Sequence, residues 1–302
     1  MDIINSPLWK DYTFQVVLAG TVSLGILCGI LGSFIVLRRE ALLGDGIAHS
    51  AYPGIMAAFL FSGVKTLEGL LLGAFISALI AAGLILAARH YTSLPFDGIL
   101  ASLLSGFFGT GLVLASIIGR SGNAGQAGLS RFIFGQASTI LYRDVVITLF
   151  LSALILFLVF LFWKELKLAA FDPAYGVTLG FSEKKLHILL FFLTTGTVLL
   201  SLQAVGIILM SALLIAPAVA ARQWTARLEG MVFLSALIGA LSAAAGTAAS
   251  SGISKMPAGP AIVTAASFFV AISLLFAPKK GILIRRFRRK KQQMLIAERK
   301  RS

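Results

Sequence analysis

A carboxylate and an imidazole occur four residues apart within an apolar part of this chain. The stretch is GDGIAHSAYPG, residues 44–54, and the two groups belong to Asp45 and His49. At a spacing of i and i+4 the two side chains lie on one face of a helix, close enough to bind one ion or each other. Carboxylate oxygen together with imidazole nitrogen suits divalent first-row metals such as manganese, iron(II) and zinc. The stretch therefore predicts either a metal site or a hydrogen-bonded pair in a packed interior.

Two side chains leave a metal coordination shell incomplete. A two-fold dimer would bring Asp45 and His49 of both chains together and supply four ligands. Because a charged side chain at the bilayer centre costs about 3 kcal/mol on insertion scales, such residues usually face a cavity and have partners. In the alternative interpretation, Asp45 is stabilised near a helix N-terminus and His49 is simply hydrogen-bonded to it. Both interpretations stay open on spacing alone. The neighbouring glycines and Pro53 allow a bent helix and slightly favour the metal site.

A second candidate is the stretch FDPAYGVTLGFSEKKLH, residues 171–187, in the longest loop expected on the cytoplasmic side. Within it, AYGVTLG has the length of a short helix that ends at Gly180, a residue type typical of helix C-termini. Such a helix can dock into a groove of a cytoplasmic partner. The alternative is an ordinary loop helix along the membrane surface, and the stretch by itself favours that alternative.

A third candidate is the stretch LQAVGIILMSALLIAPAVAAR, residues 202–222. It places the uncharged polar Gln203 inside an apolar segment, and Gly206 and Pro217 are expected to interrupt the helix. Interrupted helices line transport pathways, because their freed backbone groups need water or protein partners. The alternative is a proline kink in a packed helix.

Long apolar segments recur along the whole chain and must position these residues. The 302 residues are 58% hydrophobic and only 13% charged, whereas soluble proteins average roughly a quarter charged residues. Runs of about 20 apolar residues are typical of transmembrane helices. We therefore predict an all-α, polytopic integral membrane helical bundle of eight or nine transmembrane helices. The nine predicted segments are residues 13–37, 41–62, 67–88, 97–118, 144–163, 187–205, 207–222, 230–250 and 258–277.

Basic residues predict the orientation of the bundle. After Pro278 the chain carries eleven Lys and Arg residues against one Glu. A basic segment beside a membrane helix is typical of the cytoplasmic side, and we prefer this interpretation to nucleic-acid binding. We accordingly predict a membrane domain over residues 1–281 and a basic cytoplasmic tail over residues 282–302, which can contact anionic membrane lipid. The first residues, MDIINSPLWKDYTF, lack the features of a cleaved signal peptide.

Missing motifs exclude several catalytic classes. The sequence contains no GxxxxGK[ST] phosphate loop, no HExxH zinc motif and no GxSxG nucleophile elbow. Its single cysteine, Cys28, excludes an intrachain disulfide and a cysteine-rich metal cluster. His90 and His187 fall at helix ends, where a histidine needs no special role. We expect neither a catalytic residue nor a cofactor bound by this chain.

Small residues at four-residue spacing mark where helices touch. Gly25 and Gly29 form one such pair, and Gly239, Ala243 and Thr247 continue the same spacing in another segment. Small side chains let two backbones approach closely. We interpret both sets as packing within the bundle.

Four stretches, taken in order, resemble the permease subunits of bacterial metal-uptake ABC transporters, which import manganese, zinc or iron(II). They are LRREALLGDGIAHSAYPGI, FDPAYGVTLG, VGIILMSALLIAPAVAAR and GPAIVTAASFFVAISLLFAPKKG, and the resemblance covers about residues 10–281. In this family the aspartate and histidine of a GDAxxH stretch contribute to the metal pathway, and Asp45 and His49 hold those positions here. Gly46 replaces the usual alanine and Ala48 the usual serine, and neither change removes a ligand.

The resemblance implies a dimer, formed with a second copy or with a related second permease, in the bacterial cytoplasmic (inner) membrane. It also implies a cytoplasmic ATP-binding subunit that hydrolyses ATP and an extracytoplasmic metal-binding protein that delivers the ion. The family's coupling helix, which contacts the ATPase, corresponds to the stretch with Asp172, Ala174, Tyr175, Leu179 and Gly180.

Three rival functions remain on the sequence. An ion-coupled secondary transporter would need no ATPase and gives residues 171–187 no task. A related ABC permease for a siderophore or vitamin has no use for bare metal ligands. An intramembrane enzyme that used Asp45 and His49 as acid and base would lack a nucleophile.

Overall fold

The computed structural model describes residues 11–63, 66–120, 141–171, 173–253 and 256–278, together with residues 281, 282 and 284. Helices account for nearly all of them. In chain order they are α1 (Tyr12–Leu37), α2 (Leu42–Ser62), α3 (Leu67–Tyr91), α4 (Phe96–Arg120), α5 (Tyr142–Leu161), α6 (Trp163–Phe171), α7 (Pro173–Thr178), α8 (Glu183–Val205), α9 (Ile207–Trp224), α10 (Leu228–Gly252) and α11 (Ala258–Phe276). The chain is an all-α, multi-pass membrane protein.

The nine apolar segments predicted from the sequence each coincide with one long helix, and their ends differ by only a few residues. Seven of these helices, namely α1, α3, α4, α5, α8, α10 and α11, are long and apolar enough to cross a membrane. The other two are α2, which carries the Asp45 carboxylate, and the shorter α9. This set agrees with the predicted bundle of eight or nine transmembrane helices.

The seventh predicted segment, residues 207–222, corresponds to α9 and differs in part from its prediction. We expected Pro217 to interrupt it, yet α9 runs through Pro217 to Trp224, so that expectation is wrong. A proline removes one backbone hydrogen bond, and in a packed membrane bundle neighbouring groups can satisfy the freed carbonyl. The interruption falls at Gly206 alone, which separates α8 from α9 with φ 88° and ψ 163°. This backbone conformation is essentially restricted to glycine.

Helix α1 makes its most extensive contact with α10. Gly25 and Gly239 lie so close together that a side chain at either position would overlap the backbone of the other. One turn along, the Ser235 hydroxyl of α10 donates to the Gly29 carbonyl over 2.6 Å. The four-residue spacing of small residues therefore serves packing within the chain, as predicted.

Helix α2 is held between α3, α4 and α9. A side chain at Gly54 would overlap the Gly73 carbonyl of α3. The Ser77 hydroxyl of α3 donates to the Ser50 carbonyl of α2 over 2.6 Å. These contacts set the rotation of α2 about its own axis, and hence the direction in which its polar side chains point.

Candidate metal centre

Asp45 and His49 lie in the first turns of α2, on the shared face that their spacing predicts. The Asp45 Oδ1 atom is 3.5 Å from the His49 Nε2 atom, which is longer than a well-formed hydrogen bond. The Asp45 side chain is 26% exposed and the His49 side chain is 12% exposed. Both groups are therefore mostly buried but still accessible, and their separation leaves room for them to share a cation.

Phe108 of α4 holds the imidazole in place. The Phe108 and His49 rings meet edge to face, with centroids 4.6 Å apart and planes at 89°. The His49 Nδ1 atom is buried and has no hydrogen-bond partner among the described residues. Metal-binding histidines usually donate their second ring nitrogen to a neighbouring acceptor. Here packing against Phe108, rather than such a hydrogen bond, orients the ring.

Gly111 allows α4 to approach α2 this closely. A side chain at Gly111 would overlap the ring of Tyr52, which is only 1% exposed and lies three residues after His49 on the same side of the helix. The Tyr52 and Phe108 ring centroids are 5.7 Å apart. Helix α4 thus forms an apolar wall beside the polar pair.

This face of α2 supplies two candidate protein ligands. No group of three or more His, Cys, Asp or Glu side chains comes together anywhere in the described part of the chain. Divalent first-row metals take four or more ligands, so a bound ion would need water, backbone oxygen or a second chain to complete its shell.

A groove of about 850 Å³ lies between α2, α3 and α4, and it begins one turn beyond the pair. Its walls are mostly apolar, apart from the Ser77, Ser102 and Thr110 hydroxyls. Neither Asp45 nor His49 lines it. Apolar walls of this kind suit lipid or another helix.

The second predicted stretch forms a short helix in the loop before α8. Ala174 lies within this helix, α7, whereas Asp172 lies outside the described residues. Gly180 follows with φ 86°. The backbone N–H groups of Gly180 and Phe181 donate to carbonyls of the helix over 3.0 Å each, as in a Schellman motif. The helix and its glycine terminus have the form expected from the sequence.

Apolar side chains project from this loop. Their exposed fractions run from 39% to 55%, and they belong to Phe171, Tyr175, Val177, Leu179 and Phe181. Exposed apolar side chains of this kind can contact another protein or the membrane.

The third predicted stretch spans α8 and α9. Gln203 lies in the last turn of α8, Gly206 separates the two helices, and Pro217 is buried in α9. Helix α9 packs against α2. A part for these three residues in a pathway stays a prediction.

Two features of the site escaped the sequence analysis. Phe108 lies far from His49 along the chain, and a phenylalanine within an apolar segment carries no signal of its role. The sequence also carried no sign that the His187 ring contacts Arg38 and Glu40.

Comparisons with known proteins cover nearly the whole chain. The model of the ABC 3 transport family matches residues 10–277. The chain is 42% identical over 291 residues to the zinc transport system membrane protein TroC of Treponema pallidum, across 96% of this chain and 98% of that protein. It is 40% identical over 290 residues to the manganese transport system membrane protein MntC of Bacillus subtilis, across 94% of this chain and 67% of that protein. It is also similar to a chain of PsaBC from Streptococcus pneumoniae, solved in complex with a Fab, with 31% identity, a TM-score of 0.80 and coverage of 91% and 95%.

Proposed function

This chain belongs to the ABC 3 transport family, and we propose that it is the membrane-spanning permease subunit of an ATP-driven importer of divalent transition-metal ions. The names of two similar proteins, one for zinc and one for manganese transport, support this proposal. The observation that carries it for this chain is the Asp45–His49 pair, mostly buried on one face of α2 with 3.5 Å between its polar atoms.

Asp45 and His49 give the transported ion a transient site. A carboxylate oxygen and an imidazole nitrogen accept manganese, iron(II) and zinc alike. Two ligands from one chain bind an ion weakly, which suits transport because the ion must leave as well as enter. In a two-fold dimer the same two residues of a second copy, or their counterparts in a related second permease, would complete the shell.

The exposed apolar patch around α7 is the surface that docks onto a cytoplasmic ATP-binding subunit. Tyr175 and Leu179 are 55% and 54% exposed and present apolar area for a groove on that subunit. Asp172, Ala174 and Gly180 belong to the same loop. ATP binding and hydrolysis on the partner would move this helix and rock the bundle halves, so that access to the metal site switches between the two sides.

Movement of the bundle halves needs a hinge, and Gly206 is the candidate. Its backbone conformation ends one helix and begins the next, and hinge residues are positions at element ends that absorb a change in φ and ψ. Gln203 and Pro217 flank it as pathway candidates.

The membrane in this proposal is the bacterial inner membrane. Residues 1–281 form the permease domain, and the basic tail at 282–302 lies in the cytoplasm on anionic lipid. The tail is described only at residues 282 and 284. An extracytoplasmic binding protein would deliver the metal to the opposite side.

Substitution of the two ligands tests the proposal. Asp45→Ala and His49→Ala each remove half of the protein's coordination, so uptake should fall by more than the roughly 10- to 100-fold typical of outer-shell changes. Asp97→Ala and His90→Ala are matched controls, because both residues are exposed near helix ends. The measurement is uptake of manganese(II) and of zinc(II) into cells, alongside copurification of the ATPase subunit.

We expect both ligand variants to assemble with the ATPase yet fail to import metal, while both controls import it normally. Normal uptake by Asp45→Ala and His49→Ala would show that the pathway runs elsewhere. Uptake that needs no ATPase subunit would favour a secondary transporter instead.

A further inference from the structure

A mostly buried cluster centred on Arg38 connects the helices on either side of the docking loop, residues 172–182, to α2, which carries Asp45 and His49. The Arg38 Nη1 atom donates to the Ala169 carbonyl over 3.2 Å, and Nη2 donates to Glu40 Oε1 over 3.2 Å and to His187 Nδ1 over 2.7 Å. The Arg38, Glu40 and His187 side chains are 10%, 13% and 19% exposed. A buried arginine divided among three acceptors is strongly constrained by its surroundings.

The three acceptors belong to three different helices or helix ends. Ala169 lies in α6 and His187 in α8, and these two helices flank α7 on either side. Glu40 lies just before α2, and Arg38 itself ends α1. One guanidinium group thus contacts both helices that frame the docking loop, and also the start of α2.

The connection from α1 to α2 is a tight turn. The Glu40 N–H donates to the Ile35 carbonyl over 3.1 Å and the Arg39 N–H to the Val36 carbonyl over 3.3 Å, which is a Schellman motif with Arg39 at φ 59°. Asp45 follows Glu40 by only five residues, and α2 begins between them at Leu42. A displacement at Arg38 or Glu40 is therefore carried into α2 and to its polar pair.

Helix α6 also packs closely against both α1 and α7. Helix α6 packs on α1 through Trp163 and Phe34, whose rings meet edge to face with centroids 5.8 Å apart. Gly176 of α7 lies against Leu168 of α6, so closely that an added Cβ would be 3.3 Å from the leucine side chain. A shift of α7 therefore moves α6 as well.

The cluster also holds the atoms for a second arrangement. Arg38 Nε and Glu40 Oε2 are buried, and neither has a hydrogen-bond partner in the described part of the chain. A guanidinium group can bind a carboxylate through two parallel hydrogen bonds, which would employ both atoms, and the turn of the guanidinium plane that this requires would change its contacts with Ala169 and His187. Clusters with two discrete arrangements are the elements that switch in conformational transitions.

We propose that Arg38 is a positioning residue for transport, which transmits movement of α6 and α8 to α2 and so sets the access of Asp45 and His49. This inference rests on the proposed function, since it needs an ATPase that moves α7. The role that it gives to Arg38, Glu40 and His187 is the transmission of movement, which differs from binding the metal and from docking onto the ATPase.

Arg38→Lys tests this role. Lysine keeps the positive charge but replaces the planar fork with one ammonium group, which cannot bond Ala169, Glu40 and His187 in the same geometry. Arg39→Lys is the matched control, because Arg39 is adjacent and exposed. Each variant is purified with its ATPase subunit and reconstituted into proteoliposomes with the metal-binding protein. The measured quantity is the amount of manganese(II) or zinc(II) taken up per ATP hydrolysed.

We expect Arg38→Lys to lower uptake per ATP by about tenfold, in the usual range for loss of coupling between sites. Assembly and ATP hydrolysis should stay as in the wild type, and Arg39→Lys should keep the wild-type ratio. An unchanged ratio in Arg38→Lys, or an equal drop in Arg39→Lys, overturns the inference. If the wild-type complex takes up neither metal with ATP, the proposed function fails and this inference with it.

His187 provides a second test should Arg38→Lys prevent assembly. His187→Leu removes the acceptor for Arg38, whereas His187→Asn keeps an oxygen atom near the position of Nδ1. We expect the leucine variant to lower uptake per ATP and the asparagine variant to retain it. A loss in both variants, or in neither, contradicts a role that depends on this hydrogen bond.

Discussion

Gly111→Ala is expected to disturb the candidate metal centre without changing Asp45 or His49. The added methyl group would overlap the ring of Tyr52 and lie 3.1 Å from the Pro53 nitrogen. Tyr52 is fully enclosed and cannot turn away. Helix α4 must therefore shift from α2, and Phe108 moves with it off the imidazole of His49.

The size of the effect follows from two opposing terms. Replacing glycine by alanine inside a helix raises the free energy of unfolding by about 1 kcal/mol through helix propensity. Overpacking a closed contact lowers it by about 1–3 kcal/mol. Because the clash at Gly111 involves a backbone atom and a rigid ring, the upper part of that range applies, and we expect a net loss of about 1–2 kcal/mol.

Helix α4 offers matched controls for this substitution. An added Cβ at Gly106 or at Gly109 meets nothing within 4 Å in the described structure. Gly106→Ala and Gly109→Ala should therefore show only the propensity gain. The assays are thermal unfolding of the detergent-solubilised complex and uptake at low manganese(II) or zinc(II) concentration.

We expect Gly111→Ala alone to lower both the unfolding midpoint and uptake at low metal concentration. If Gly111→Ala is as stable as the two controls, α4 does not approach α2 as closely as the structure shows. If it is destabilised yet imports metal normally, Phe108 does not position the imidazole of His49.

Three further substitutions test separate parts of the molecule. Gly206→Ala should lower the free energy of unfolding by about 1–3 kcal/mol, because φ 88° with ψ 163° strains any other residue. Tyr175→Asp places a charge in the docking patch and should abolish copurification of the ATPase subunit. Thr21→Val removes the 2.9 Å hydrogen bond with Thr247 between α1 and α10, and should cost about 1 kcal/mol on thermal unfolding.

Each of these has a control on the same chain. Gly83→Ala adds a methyl group to α3 where nothing lies within 4 Å, and equal stability of both glycine variants would refute the strain at Gly206. Tyr91 is 83% exposed, and loss of the ATPase in Tyr91→Asp as well would make the effect nonspecific. The Thr110 hydroxyl bonds within its own helix, so Thr110→Val should be harmless, and an equal cost there would contradict the interhelical bond.

The membrane spans could be predicted closely from the sequence, because insertion depends on about 20 contiguous residues and their composition. The same holds for the shared face of Asp45 and His49, which follows from helical periodicity alone. The Schellman turn at Gly180 is also local, since a left-handed residue at a helix end favours glycine wherever it occurs. In each case the deciding interactions lie within a few turns of chain.

The features that the sequence did not predict correctly concern contacts between distant segments. We expected Pro217 to interrupt α9, yet the helix continues through it, and a proline can be accommodated in this way inside a packed membrane bundle. Nothing in the sequence singled out Arg38, and His187 was interpreted as an ordinary helix-end residue. Their partnership depends on how α1, α6 and α8 converge.

Composition and periodicity by themselves determined that this protein is a helical membrane bundle with a carboxylate and an imidazole on one face of α2. Only the tertiary structure decided that Phe108 packs against the imidazole and that Arg38 connects α6 and α8 to the start of α2. The reason is physical: a helix face is specified by residues within two turns, whereas a contact between helices depends on the packing of the whole bundle.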